Sequence, residues 1–286
     1  MTDKTKGIFW AILSNFLMAL MLILIRIASE ENHPFVIVFF RNLFALAIML
    51  IWVFPNGISS IKTKKLKLHF YRALVGAIAM MLWFYALANL KLSFATALSF
   101  TAPIFTAIAA AIYLKEKIYL RRCLAIILGF IGTIIIINPT INNMNIYVYI
   151  VLISTSLWAV AAILIKNLTK TESSTTITFY MVLFMTPMTF PFALSFFTEL
   201  NRVDLMIFFA IGVISNFAHF SLTNAMSYTE LTNIQPADFT KLIFVSIFAW
   251  IIFDEFVSLN EITGSIIIIG SNIYLAYRQS QKQNLV

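Results

Sequence analysis

Long apolar runs broken by short polar stretches divide the chain into ten segments: about residues 8–27, 34–54, 70–90, 93–114 and 120–138, then 146–165, 176–197, 205–228, 231–253 and 262–277. At 1.5 Å per residue, a helix of roughly 20 residues crosses a hydrocarbon layer ~30 Å thick. Lipid offers no hydrogen-bond partner to an open backbone, so a spanning segment is a helix or a strand of a closed barrel, and the alternating ten-residue pattern of barrel strands is absent. The pattern predicts an all-α polytopic membrane protein with ten transmembrane helices.

The ten segments are two sets of five. Laid against itself with a shift of 139 to 140 positions, the chain places Phe39-Phe40-Arg41 on Phe179-Tyr180-Met181, Met18-Ala19 on Trp158-Ala159, Ala86 on Ala225 and Glu116 on Glu255. Five is an odd number, so the second copy enters the bilayer from the opposite side. The expected organisation is therefore two inverted five-helix repeats, residues 1–140 and 141–286, an arrangement that secondary transporters use.

Composition agrees with a lipid-solvated chain: 61% of residues are hydrophobic, 11% are charged, and 28 of the 286 are Phe. The net charge of +8 is informative through its distribution. With the N-terminus in the cytoplasm, the segments on that side carry Lys4, Lys6, Lys62, Lys64, Lys65, Lys67, Arg72, Lys115, Lys117, Arg121, Arg122, Lys166, Lys170, Arg278 and Lys282. The opposite face carries only Arg26, Lys91 and Arg202, with seven acids: Glu30, Glu31, Glu199, Asp204, Asp254, Glu255 and Glu261. Lysine and arginine collect on the cytoplasmic side of membrane proteins, so both termini are expected there. Equivalent loops of the two copies carry opposite bias, as inversion requires: 62–67 aligns near 199–204, and 115–122 with 254–261.

A nucleic-acid surface would gather its cations on one folded face. Here they are spread over short loops, which argues against nucleic acid as a partner. The first apolar run is too long for a signal peptide and lacks a small-residue cleavage site, so it is expected to remain as the first helix. Cys123 is the one cysteine. It excludes an internal disulfide and a cysteine metal cluster.

Further residues carry a family likeness. Phe39-Phe40-Arg41-Asn42 in the second span, Ala86-Leu87 in the third, Ala97 to Phe105 around Pro103 in the fourth, and Glu116 with Gly129 and Gly132, answered by Glu255 with Gly264 and Gly270, resemble the EamA-like branch of the drug/metabolite transporter superfamily over nearly the full length. The resemblance implies a multi-pass protein of the bacterial inner membrane, a central cavity lined mainly by spans 1, 3, 4, 6, 8 and 9, and spans 5 and 10 packed along the pseudo-twofold. The glycines of spans 5 and 10 suit close helix packing in lipid.

Candidate chemistry comes from polar groups within the spans, where a charge costs on the order of 3 kcal/mol and marks function by default. The ninth span carries Gln235, Asp238 and Lys241, the last two ~12 and ~16 Å from the cytoplasmic end at 1.5 Å per residue. The eighth puts Asn216, His219 and Thr223 on one face at helical spacing. The fourth has Thr96, Ser99 and Thr106. Thr96 and Ser99 align with Gln235 and Asp238, but Lys241 falls on Ala102, His219 on Met80 and Arg41 on Met181. The duplicated scaffold therefore does not demand these ionisable groups, which points to ligand chemistry. Plainer roles stand beside that one. Asp238 and Lys241 could neutralise each other at i,i+3, Arg41 could tie the second span to backbone carbonyls, and His219 could be a packing residue or a proton carrier. Trp83, Tyr85, Trp158 and Tyr180 lie away from the interfaces or beside polar stripes, and could stack on a flat substrate or simply pack.

These features together predict a carrier of a small organic metabolite working by alternating access, not an enzyme, with substrate contacts at Arg41, Trp83, Tyr85, Thr96, Ser99, Trp158, Tyr180, Asn216, His219, Gln235, Asp238 and Lys241. No cofactor or metal is expected. The expected partners are the bilayer, the metabolite and protons as a coupling ion, with the protein as a monomer or weak homodimer. Within the family, the likeness is to carriers of vitamins and nucleoside derivatives. Riboflavin leads, S-adenosylmethionine uptake is an alternative, and efflux of amino acids or related metabolites is another. A multispan membrane enzyme would need clustered acids or histidines, whereas His33, His69 and His219 lie far apart in the chain. A cationic-drug exporter of the four-helix type would carry an acid in its first helix, where this chain has Asn15.

Overall fold

The computed structural model describes residues 3–57, 61–102, 104–105, 120–137, 145–229, 234, 237–238 and 240–283. Over these residues the chain forms ten helices and no strand. They are α1 (Asp3–Ala28), α2 (Pro34–Asn56), α3 (Leu66–Leu87), α4 (Leu92–Ser99), α5 (Leu120–Ile137), α6 (Ile146–Leu168), α7 (Ser174–Leu194), α8 (Arg202–Tyr228), α9 (Thr240–Phe253) and α10 (Leu259–Gln283).

Helix ends are set by local chemistry. His33 precedes Pro34 and accepts from the Phe35 N–H at 3.3 Å, Asn145 accepts from Tyr147 at 3.1 Å, and Ser173 accepts from Thr176 at 3.1 Å. Asn201 and Asp204 form a reciprocal capping box, each side chain receiving the other's backbone N–H at 2.9 Å. Such caps satisfy the donors a helix start leaves free.

Six helices, α1, α2, α3, α6, α7 and α8, are long and apolar enough to cross a membrane. The apolar stretches of α5, α9 and α10 are shorter, at Ile127–Ile137, Thr240–Phe253 and Leu259–Ser271. The 14 residues of α9 rise only ~21 Å at 1.5 Å each. Parts of the expected spans 93–114 and 231–253 lie outside the described residues, including Pro103, Thr106, Gln235 and Pro236, as does Glu116 between spans.

The helices pack as extended pairs: α1 along α8, α3 along α6, α5 against α10, and α2 against both α7 and α8, while α9 lies against α1 and α4. Gly132 and Gly264 let α5 and α10 meet backbone to backbone. A Cβ on Gly132 would stand 2.8 Å from the Gly264 carbonyl oxygen, and a Cβ on Gly264 would stand 2.5 Å from that of Gly132. Gly270 differs from the expected packing role, since nothing lies within 4 Å of its missing Cβ.

Contacts at the helix ends show their directions. Lys6 at the start of α1 lies 5.6 Å from the Tyr228 ring centre at the end of α8. Lys166, at the end of α6, donates to the Met226 and Thr229 carbonyls at 2.6 and 2.8 Å, where its charge favours the C-terminal pole of α8. At the other end Arg26 donates to the Leu87 carbonyl at 2.8 Å, Asn32 to Asp204 at 2.7 Å, and the Leu92 N–H to Glu255 at 2.9 Å. The Glu255 carboxylate thus sits at the N-terminus of α4, where the helix dipole favours negative charge.

Candidate functional site

Most of these helices converge on one cavity of about 220 Å³. Its walls come from α1, α3, α6, α8 and α9, from the end of α4, and also from α2 and α7 through Arg41 and Met185. Those last two helices are additions to the expected lining.

On the α9 side, Asp238 and Lys241 both face the cavity. Asn15 of α1 holds the approach to α9 in place. Its Nδ2 donates to the Ala237 carbonyl at 2.9 Å, and Asp238 Oδ1 and Thr240 Oγ1 lie 3.5 Å from the same nitrogen. Asp238 and Lys241 form no ion pair with each other. Lys241 Nζ instead lies 5.9 Å from the centre of the Phe100 ring, a cation–π distance. Ser99 lines the cavity but spends its hydroxyl on the Thr96 carbonyl at 2.7 Å.

The aromatic wall is Trp83 from α3, Trp158 from α6, and Phe84 and Phe100. Trp158 and His219 are neighbours across α6 and α8, with ring centres 6.1 Å apart at 58°. An indole beside an imidazole gives the wall a flat apolar face with a polar edge.

The third region is formed by two arginines. Arg41 is 1% exposed and Arg72 2%. Arg41 Nη1 donates to Asn42 Oδ1 at 2.6 Å and reaches Met80 Sδ at 3.1 Å, while its Nε and Nη2 have no hydrogen-bond partner. Arg72 Nε and Nη1 have none either. Arg72 Nη1 lies beside Gly76, 3.8 Å from where a Cβ would stand. Arg72 corrects its expected place among the cytoplasmic loop cations, because α3 begins at Leu66 and carries position 72 into its second turn. An arginine only two residues into an apolar run is the signal that identifies it.

The remaining candidates lie elsewhere. Tyr85 belongs to an aromatic cluster at one end of the bundle, with ring centres 5.6 to 6.2 Å from Tyr147, Phe35 and His33; there His33 stacks on Phe196 at 3.8 Å. Burial lowers the His33 imidazole from its ordinary pKa, which keeps the ring free to accept from Phe35. Tyr180 packs at the other end, 4.7 Å from the His69 ring, where His69 Nε2 is 3.9 Å from Glu172. Thr96 is fully buried in α4 with its hydroxyl unpartnered. Asn216 donates to the Ala45 carbonyl at 2.8 Å and ties α8 to α2. Gln235 lies outside the described residues. Ser154, Thr155 and Asn15, which the sequence pattern did not single out, line the cavity. Small hydroxyl and amide residues within apolar spans were their only signal.

The pattern of the EamA-like transporter family matches the chain twice, over residues 5–138 and again over 145–277. The chain is similar to the S-adenosylmethionine uptake transporter of Rickettsia prowazekii (strain Madrid E), 26% identical over 288 residues, 99% of this chain and 98% of that protein. A riboflavin transporter of Brucella anthropi is 30% identical over 251 residues, 86% of this chain and 88% of that protein. A riboflavin transporter of Vibrio cholerae is 27% identical over 212 residues, 73% and 71%. One solved crystal structure superposes with a TM-score of 0.66 at 14% identity, over 97% of this chain and 98% of the other, a likeness of fold alone.

Proposed function

The chain belongs to the EamA-like transporter family, and on that premise we propose that it moves a small metabolite bearing a flat heteroaromatic ring across the bacterial inner membrane by alternating access. It is a multi-pass membrane transporter rather than an enzyme. The observation that carries the substrate reading is the cavity itself, where Trp83 and Trp158 stand in one chamber with Asp238, Lys241 and His219.

Riboflavin and S-adenosylmethionine, each transported by a relative according to its name, both present such a ring with polar substituents. At about 220 Å³ the cavity is smaller than the ~300–1,000 Å³ of pockets for drug-sized ligands. A substrate of that size enters as the helices part, which is the motion alternating access supplies.

Two inverted repeats, 1–140 and 141–286, form the moving parts in this reading. Its support is that α1 starts where α6 ends, and that the pairing of α1 with α8 is answered by that of α6 with α3. The basic loops and both termini face the cytoplasm.

The test is uptake into proteoliposomes of labelled riboflavin and S-adenosylmethionine, with amino acids as the comparison set. Saturable entry of either ring-bearing compound that the other competes for supports the reading. Transport of amino acids alone refutes it.

A further inference from the structure

We propose that Arg41 and Arg72 are an anion-binding pair, and that the transported molecule carries an anionic oxygen group, a carboxylate or a phosphate, which these guanidiniums receive. The assignment rests on the carrier reading above and narrows its substrate class.

Four guanidinium nitrogens, Nε and Nη2 of Arg41 and Nε and Nη1 of Arg72, are buried without a hydrogen-bond partner. Both side chains line the cavity. No carboxylate among the described residues comes within ion-pair distance of either. A buried cation is retained against its desolvation cost when something compensates it, and among the described residues no carboxylate does so here.

The two guanidiniums bracket one turn of α3. Arg72 lies beside Gly76, and Arg41 reaches Met80, four residues further on. The space over Gly76 is taken by the flexible Met185 side chain, whose Cε would stand 2.5 Å from a Cβ there, and Met185 lines the same chamber as the two forks. Arginine rather than lysine fits the task, since the planar fork matches the two oxygens of a carboxylate or the oxygens of a phosphate.

Symmetry argues against a purely architectural role. Arg41 aligns with Met181, and Arg72 with Ile211 or Gly212, so the duplicated scaffold holds together in its other half without either charge. The same face of α3 continues to Trp83, seven residues and about 10 Å beyond Gly76 at 1.5 Å per residue. A substrate with its anionic group about two helical turns from its ring would span arginines and tryptophan together. S-adenosylmethionine carries a carboxylate and riboflavin carries no anion, so the pair favours the former of the two candidates.

The test uses the full chain in lipid nanodiscs, with binding read from quenching of tryptophan fluorescence. Two matched pairs of probes are titrated: S-adenosylmethionine against its decarboxylated analogue, and riboflavin 5′-phosphate against riboflavin. The expected result is at least tenfold tighter binding of the member that bears the carboxylate or phosphate in one pair, which identifies the group received. Arg41→Gln and Arg72→Gln should each shrink that preference toward equal binding of the two members, and Arg41→Lys should restore part of it. Equal binding within both pairs, or a preference that survives in both variants, overturns the proposal.

If no probe binds, the ring-bearing substrate reading fails by itself and the anion site is judged separately. Sodium phosphate or sodium acetate, compared with chloride at equal ionic strength, should then raise the thermal midpoint of the native protein and not that of Arg72→Gln. No such rise overturns the anion site as well. A melting transition for each variant establishes that it is folded.

Discussion

Ser154 on α6 donates its hydroxyl to the Ala79 carbonyl on α3 at 2.7 Å. The bond has a counterpart: Ser14 on α1 donates to the Ala218 carbonyl on α8 at 2.9 Å. Donors and acceptors are related by the same shift of 139 to 140 positions that aligns the two halves of the sequence. Each bond fastens a helix of one half to a helix of the other.

Ser14→Ala and Ser154→Ala should therefore destabilise the bundle alike, each by about 0.6 kcal/mol and at most ~1.7 kcal/mol, the range for hydrogen bonds between membrane helices. Ser154 also lines the cavity and Ser14 does not, so transport should change more in the first variant. Equilibrium unfolding in mixed micelles measures the stability. A cost at one position only would mean that the two bonds are not equivalent.

The crossing of α5 and α10 makes a sharper demand. Gly264→Ala would press a methyl against the Gly132 carbonyl oxygen, 2.5 Å away, with Ile136 equally near, and backbone cannot yield as a flexible side chain can. A loss of about 1–3 kcal/mol is expected from such overpacking. Gly270→Ala, with open space at its Cβ, should be silent or slightly stabilising through helix propensity. The same unfolding assay decides it, and equal effects at 264 and 270 would refute the close crossing.

What the sequence shows and what it hides divide along physical lines. Span limits are legible because hydropathy is a property of the chain alone, and α2, α5 and α6 begin at the expected residues. Arg72 is hidden because Lys64, Lys65 and Lys67 precede it and extend the look of a basic loop, although α3 has already begun at Leu66. Asn216 and His219 share a helical face by spacing, yet that face is wide enough to meet both α2 and the cavity, and only His219 reaches the latter. Trp83 and Tyr85 are two residues apart, and residue type does not reveal which points inward. The arginine pair becomes visible only once α2 and α3 are side by side.

The loop charges predict an orientation with both termini and the 62–67 loop in the cytoplasm. In a Cys123→Ser background, cysteine at position 64 should be shielded from an impermeant thiol reagent applied to intact cells, and cysteine at position 198 should react. Thr198 is exposed, so failure there would not reflect burial. Labelling of position 64 from outside refutes the proposed topology.

Asp238 and Lys241 share the cavity without an ion-pair contact, each within reach of the other's charge, so a role toward substrate and one of mutual neutralisation predict different outcomes. Asp238→Asn should cut transport by more than about tenfold, the loss of one interaction of ~1.4 kcal/mol. Membrane insertion should persist, because removing a charge eases it. The double change Asp238→Asn with Lys241→Gln should be at least as impaired. If it instead restores transport, the two groups serve only to neutralise each other.

The last expectation concerns coupling. His219 faces the cavity with Asp238, and its ring lies 6.1 Å from that of Trp158, so a proton held on the imidazole would be felt where the substrate binds. Imidazole titrates near neutral pH in water, and no other side chain changes charge there without perturbation. If His219 exchanges a proton during the cycle, uptake into proteoliposomes should follow the imposed pH gradient and collapse on adding a protonophore. A facilitator would show neither response at matched internal pH. His219→Gln keeps a hydrogen-bonding side chain that cannot carry charge. It should retain substrate binding while losing accumulation against a gradient. Accumulation that persists in this variant with an unchanged pH profile assigns His219 to packing against Trp158 and removes it from the coupling mechanism.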